Sequence, residues 1–137
     1  MREILFRGKN EHRGWIYGDL RNYEKSGAKA IFSHDLLHRV EVDPSTVGQF
    51  TGLTDKNGKK TFEGDIGRYK QVDGAKRNGK PIICVGKVLY NVKTASFAIE
   101  SKDETGCKYF DYFPIKDFEV IGNIHDNPEL LELPKGE

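Results

Sequence analysis

The chain has 137 residues, of which 36% are hydrophobic and 31% are charged, and its formal net charge is +1. A chain of this length can bury enough surface to fold without disulfides or metals, and an aromatic content of 11% argues against disorder throughout. The two cysteines, Cys84 and Cys107, form no C-x-x-C pair, which excludes a zinc ribbon and a thioredoxin-type redox site.

The first third of the chain contains short apolar runs separated by polar turns, a pattern typical of strands. The predicted strands here are Ile4–Arg7, Trp15–Leu20, Ala30–Phe32, Leu36–Val42 and Gln49–Gly52. The first two predict a hairpin, Ser33 is suited to cap a single turn that follows it, and residues 43–47 predict another turn.

The rest of the chain has the same pattern. The predicted strands are Thr61–Phe62, Glu63–Tyr69, Pro81–Tyr90, Ala95–Glu100, Tyr109–Pro114 and Phe118–Ile124. Asn57 and Gly58 predict a type I′ hairpin turn, because both residue types tolerate positive φ values. Gly86 indicates a bulge inside its strand. At the C-terminus, Asn127 and Pro128 predict one helical turn, with the asparagine as its cap.

Eight or more short strands with little helix predict a mainly β fold, and a mixed α+β fold is the alternative. We expect one domain over residues 1–137. Within it we expect an N-terminal β lobe at residues 1–48 and a barrel-like, SH3-like lobe at residues 49–137, because the sequence predicts an internal boundary near residues 43–50.

Three segments resemble one known family. They are the sequence QFTGLTDKNGKKTFEGDI from Gln49 to Ile66, the opening MREILFR and the closing VIGNIHDNPELL from Val120 to Leu131. Together they resemble the signature of the YopX family, small proteins carried mainly by phages and prophages of Gram-positive bacteria. The resemblance implies the family's fold and a phage or prophage setting, and it implies no particular reaction.

No set of residues in the sequence predicts catalysis, so we expect a protein without enzymatic activity, cofactor or metal. The alternative is a metal-dependent hydrolase based on His34 and His38, which have the spacing of an H-E-x-x-H helix with Asp35 in place of the glutamate. Residues Val40 to Pro44 follow closely and would end such a helix.

Other reactive side chains have structural interpretations. The carboxylates Glu63, Asp65, Asp111 and Asp117 have no spacing that requires them to converge, and Asp65 is predicted to accept hydrogen bonds from N–H groups of a turn. Cys84 lies in an apolar strand, where we expect its thiol to be packed and inert.

Two sets of residues are candidates for binding. In a strand over residues 109–113, alternate side chains point to opposite faces, so both faces carry aromatic rings. The predicted protein interface comprises Tyr109, Phe110, Tyr112, Phe113, Leu130 and Leu131. The alternative is nucleic-acid binding by the basic set Arg68, Lys70, Lys76, Arg77, Lys80 and Lys87.

We therefore expect a protein partner, including a second copy of the chain in a homo-oligomer, with nucleic acid as the alternative partner. No apolar run approaches the ~18 residues that a membrane span needs, so no membrane association is expected. The N-terminal residues lack the apolar block of a signal peptide, and the cysteines are expected to be reduced thiols. These features predict that the protein is located in the cytoplasm of a bacterial host cell.

Overall fold

Strands make up most of the computed structural model, which describes residues 2–72 and 81–132. They form two antiparallel sheets, so the prediction of a mainly β fold is confirmed and the α+β alternative is wrong. The helices in the described ranges are two short 3₁₀ segments, Pro44–Thr46 and Pro128–Leu131. The chain divides into two units, Met1–Gly52 and Leu53–Glu137.

In the part of the chain that the structure describes, the first sheet has six strands. They are β1 (Phe6–Asn10), β2 (Gly14–Asn22), β3 (Lys29–Ser33), β4 (Arg39–Val42), β5 (Gly48–Thr54) and β6 (Lys60–Phe62), in the order β4-β3-β2-β1-β5-β6. Alternation along β2, β3 and β4 places Ile16, Ile31, Val40 and Val42 on one face, where they form the core of the first unit. The predicted β1–β2 hairpin is confirmed, and both strands are longer than predicted.

Within residues 2–72 and 81–132, the second sheet has five strands. They are β7 (Asp65–Val72), β8 (Pro81–Asn91), β9 (Ser96–Asp103), β10 (Lys108–Tyr112) and β11 (Glu119–Asn123), in the order β10-β9-β8-β7-β11. Its core consists of Tyr69, Ile82, Cys84, Val88, Ile99 and Phe118. The prediction of a barrel-like, SH3-like lobe is wrong in one respect: across the described residues this sheet is open, because its edge strands β10 and β11 are not paired with each other.

The turn between β5 and β6 is the predicted hairpin turn, but its conformation differs from the prediction. Gly58 has a φ of 82°, whereas Asn57 does not have the positive φ that a type I′ turn requires. The N–H groups of Asn57 and Lys59 both donate to Asp55 Oδ1 at 2.9 Å, which holds the turn in a right-handed form closed by the glycine. The Asp55 carboxylate therefore decides the type of turn.

Two further local predictions need correction. Gly86 lies in a continuous register with β7 and marks no bulge; a Cβ there would lie 2.3 Å from the Glu100 carbonyl oxygen, so the glycine permits close approach of β9. The bulge of this sheet lies in β11, between Val120 and Gly122. Asn127 does precede the 3₁₀ helix, but its side chain makes no cap hydrogen bond.

Candidate binding surface on the second sheet

Strand β10 is an edge strand with one side open. Two hydrogen bonds to β9 or its neighbours flank this strand: Asp103 N–H donates to the Cys107 carbonyl, and Phe113 N–H donates to the Phe97 carbonyl. Residues 107 and 113 are both odd-numbered, so the odd-numbered residues between them also direct their backbone groups towards β9. Because these directions alternate in an antiparallel pair, the even-numbered residues Lys108, Phe110 and Tyr112 direct theirs away from the sheet. In the described residues, no other strand pairs with this side of β10.

The same three residues present their side chains on one face, which we call the outer face of the second sheet. Phe110 is 45% exposed and Tyr112 is 47% exposed. Their rings lie edge to face, with centroids 5.3 Å apart. The Tyr112 hydroxyl accepts a hydrogen bond from Asn91 Nδ2 at 3.2 Å. Exposed aromatic rings therefore stand directly beside exposed backbone hydrogen-bonding groups.

The other rings of the predicted protein interface face the opposite way. Tyr109 and Phe113 are half-buried and pack against the core, and Phe113 meets Phe118 with ring centroids 5.0 Å apart. The alternation predicted from the sequence is thus present, and it leaves Phe110 and Tyr112 as the rings that a partner can reach.

The two leucines of the predicted interface both lie in the C-terminal 3₁₀ helix, and both are half-buried. A Cβ added at Gly122 would lie 2.9 Å from Leu130, so this leucine packs on β11. Leu131 lines a groove of about 280 Å³ on the second unit. The other lining residues are Val85, Lys87, Glu100, Ser101, Lys102 and Lys108. The groove thus leads from Leu131 to the beginning of β10.

The residues of the predicted nucleic-acid set do not all have the same surroundings. Lys70 and Lys87 are exposed, and the register places both on the outer face. Arg68 donates to Glu119 Oε1 at 2.8 Å, so an acidic neighbour already neutralises part of its charge. Lys76, Arg77 and Lys80 lie outside the described residues.

Sequence reasoning missed two lysines of this face. Lys102 and Lys108 are directly opposite each other on β9 and β10, and both are exposed. The period-two alternation of these strands could have identified them, because Lys102 is out of phase with the buried Ile99, Ser101 and Asp103.

Behind β10, the inner face of the second sheet holds a buried polar network. The Tyr69 hydroxyl donates to Asp111 Oδ2 and lies 2.8 Å from Ser101 Oγ, and Gln71 Nε2 donates to Asp111 Oδ2 at 2.6 Å. Burial, followed by the hydrogen bond to Asp111, raises the pKa of Tyr69 well above its usual value. In a flat sheet β7 and β10 would lie about 14 Å apart, too far for this contact, so the sheet is strongly curved.

A second carboxylate fixes the turn between β9 and β10. Asp103 Oδ1 accepts hydrogen bonds from Thr105 Oγ1, from Thr105 N–H and from Cys107 N–H at 2.6–3.0 Å. Asp103 Oδ2 accepts one from the Tyr109 hydroxyl at 2.7 Å. These hydrogen bonds, the Thr105 side chain's first, hold the pKa of Asp103 far below its usual range. The start of β10 is therefore anchored while its outer edge stays open.

Acid should destabilise the second unit through three carboxylates. Hydrogen bonds from the side chains of Asn57 and Arg68 lower the pKa of Glu119. Burial by itself would raise the pKa of Asp55. Hydrogen bonds from the N–H groups of Val120, Lys59 and Asn57 together outweigh burial and lower that pKa. Asp103 shifts the same way. A lowered folded-state pKa stabilises the fold above the ordinary values of 3.8 and 4.5, and this stability is lost as the pH falls below them.

Calorimetry measures this loss of stability: the melting temperature should fall as the pH is lowered from about 5 to about 3. The triple variant Asp55→Asn, Asp103→Asn and Glu119→Gln should show a smaller fall in melting temperature. An equal fall in both proteins would contradict this assignment.

Cys84 is fully buried, and its burial raises the pKa of the thiol to about 11, whereas Cys107 is exposed. Because the thiolate is the reactive form, we expect Cys84 to be inert in the folded protein. A chromogenic disulfide reagent at about pH 8 should therefore label one thiol rapidly in native protein and both after denaturation. Cys107→Ser should abolish the rapid labelling. Rapid labelling of that variant would show that Cys84 is accessible.

The histidine pair does not form the helix that a zincin site requires. Residues 34–38 form the turn between β3 and β4, in which Leu37 has a φ of 59° and Ser33 Oγ accepts from Leu36 N–H, as predicted for the cap. His34 Nε2 lies 3.2 Å from Asp19 Oδ1. Over residues 2–72 and 81–132, no group of three or more His, Cys, Asp or Glu side chains is arranged to hold a metal ion.

The candidate carboxylates serve separate parts of the fold. Asp65 Oδ2 accepts from Phe62 N–H at 2.7 Å, which confirms its predicted role in a turn. Asp111 belongs to the network with Tyr69. Asp117 is exposed and has a φ of 60°. Asp65 therefore stabilises the backbone of a turn, and Asp111 stabilises the side-chain network on the inner face.

A helix of the length and apolarity required to cross a membrane does not occur within the described ranges. Among curated proteins, none matches the chain. Among solved structures, the chain is similar to protein EF1440 from Enterococcus faecalis, with 21% sequence identity and a TM-score of 0.48, covering 96% of this chain and 100% of that chain. The family model YopX, described as "YopX protein", matches residues 5–132. Because this match covers nearly the whole chain, the chain belongs to the YopX family.

Proposed function

We propose that this protein is a non-enzymatic binding module that acts through protein–protein contacts made by β10. The observation that carries the proposal is the coincidence of exposed Phe110 and Tyr112 rings with an open strand edge. Aromatic residues supply much of the energy of protein interfaces, and an open edge supplies backbone hydrogen bonds. Within the proposal, the protein is an accessory of a phage or prophage that works in the cytoplasm of the bacterial host.

Chemical cross-linking in producing cells, followed by mass spectrometry, tests the proposal. Phe110→Ser with Tyr112→Ser should abolish the cross-linked protein products of the wild type. Phe32→Ser is a matched control, because Phe32 is also 45% exposed but lies in the first unit. Equal cross-linking of all three proteins would reject β10 as the interface. A turnover of substrate that survives purification controls would reject the non-enzymatic role.

Nucleic-acid binding is the second candidate, and one observation favours it. Lys70, Lys87, Lys102 and Lys108 lie on the same outer face as the two exposed rings. Proteins that bind single strands combine such basic surfaces with aromatic rings on which bases stack. Glu100 and Glu119 lie on this face too and oppose phosphate, so we rank nucleic acid second.

Fluorescence anisotropy with labelled oligothymidylate and with duplex DNA decides this alternative. Binding through this face should weaken steeply as salt is raised, and Lys87→Ala with Lys102→Ala should weaken it further. Lys25→Ala, in the first unit, is the control. An absence of binding at low salt would reject the alternative.

A further inference from the structure

The open side of β10 presents a self-complementary set of groups. Its outward backbone groups belong to Lys108, Phe110 and Tyr112, whose side chains are all exposed on the outer face. The sequence of these side chains is basic, aromatic, aromatic. A two-fold axis at Phe110 would place the Phe110 rings of two copies side by side and each Lys108 opposite Tyr112 of the other copy.

We propose that a second copy of this chain pairs antiparallel with β10, with the two-fold axis at Phe110. This inference rests on the proposed function, because it names the partner of that surface. It extends the five-stranded sheet of each copy into one continuous sheet through an isologous contact. All outward N–H and C=O groups of the three residues find partners in this arrangement.

The register follows from the backbone. Pairing shifted by one step towards the C-terminus would set Lys108 against Pro114, which has no N–H to donate. Pairing shifted the other way would set Tyr112 against Gly106, within the turn that Asp103 holds. The register centred on Phe110 is therefore the one that uses the whole strand.

The side chains agree with this register. A lysine on an edge strand usually discourages pairing, because it meets another charge or must lose its hydration. Here each Lys108 would face a tyrosine ring, an arrangement that attracts a cation, and the two phenylalanines would form an aromatic cross-strand pair. The lysines of the two copies would be separated along the strands instead of facing each other.

Sedimentation velocity over a range of concentrations tests the pairing. The wild type should show a dimer that increases with concentration. Lys108→Pro should remain monomeric, because proline removes an outward N–H while leaving the bonds to β9 intact. The matched variant Lys108→Ala keeps the N–H and should still dimerise, although more weakly. A wild type that is monomeric throughout, or equal dimerisation of all three proteins, would overturn the inference.

Disulfide trapping tests the register. In a Cys107→Ser background, Phe110→Cys should form a disulfide-linked dimer, since directly paired residues have Cα atoms about 5.5 Å apart. Lys93→Cys, in the turn between β8 and β9, should not. Equal trapping at both positions would contradict the register. If Phe110→Ser with Tyr112→Ser removes cross-links to another protein while the wild type stays monomeric, the proposed function stands and the second-copy inference fails.

Discussion

Gly18→Ala should destabilise the first unit by about 3 kcal/mol, which is a large part of the stability of a small domain. Gly18 lies in β2 between β1 and β3, and a Cβ there would lie 1.8 Å from the carbonyl oxygen of Phe32 and 3.2 Å from Ile31 Cγ2. The obstructing atom is backbone in an interior strand, so it cannot move aside as a flexible side chain would. Urea unfolding monitored by Trp15 fluorescence measures the effect.

Gly52→Ala separates this clash from the general cost of replacing a glycine. Gly52 has a φ of 89°, and an added Cβ would have nothing within 4 Å. Its replacement should therefore cost about 1–2 kcal/mol, through backbone conformation alone. Trp15 is the sole tryptophan and lies in β2, so its fluorescence reports on the first unit. Equal effects of the two substitutions would show that β3 yields to the added methyl group.

Asp55→Ala should destabilise the second unit by a similar amount, about 3 kcal/mol. The Asp55 side chain is 7% exposed and accepts hydrogen bonds from the N–H groups of Asn57, Lys59 and Val120, each at 2.9 Å. Alanine would leave all three donors without this acceptor, both in the hairpin turn and at the edge of β11. Thermal unfolding followed by circular dichroism measures the loss.

Asp55→Asn is the matched control. Its amide oxygen can still accept from Asn57 and Lys59, but its NH₂ group would face the Val120 N–H, so we expect a loss of intermediate size. Hydrogen exchange locates the change: the Val120 amide should exchange faster in both variants, and the Lys59 amide should exchange faster in Asp55→Ala alone. An unchanged melting temperature in the alanine variant would show that water replaces the carboxylate.

Local features of the fold could be predicted because they depend on neighbouring residues. Alternating apolar residues fix strands such as β9, and Ser33 and Pro128 mark turns through their own hydrogen-bonding and φ preferences. The conformation at Asn57 was mispredicted because a side chain two residues earlier, Asp55, accepts the N–H groups of the turn. The preference of an Asn-Gly pair for a type I′ turn does not take account of such a hydrogen bond from a neighbouring side chain.

The candidate surface was only partly predictable, because it depends on contacts between residues far apart in the chain. The alternation of β10 placed Phe110 and Tyr112 on one face correctly. The ion pair of Arg68 with Glu119 joins residues on β7 and β11, which are far apart in the chain, so no local sequence pattern predicts it. The open edge of β10 likewise depends on the order of strands in the sheet, which hydrophobic periodicity does not specify.

The placement of β11 beside β7 has a consequence for how the protein is made. Translation delivers β7 first and β11 last among the strands of the second sheet, so β7 has no partner on this side until Glu119–Asn123 has left the ribosome. In the first sheet, β1, β2 and β3 each pair with the next strand along the chain, so these pairs can form while synthesis continues. A nascent chain stalled before Glu119 should thus carry an organised amino-terminal half and a carboxyl-terminal half still dependent on chaperones.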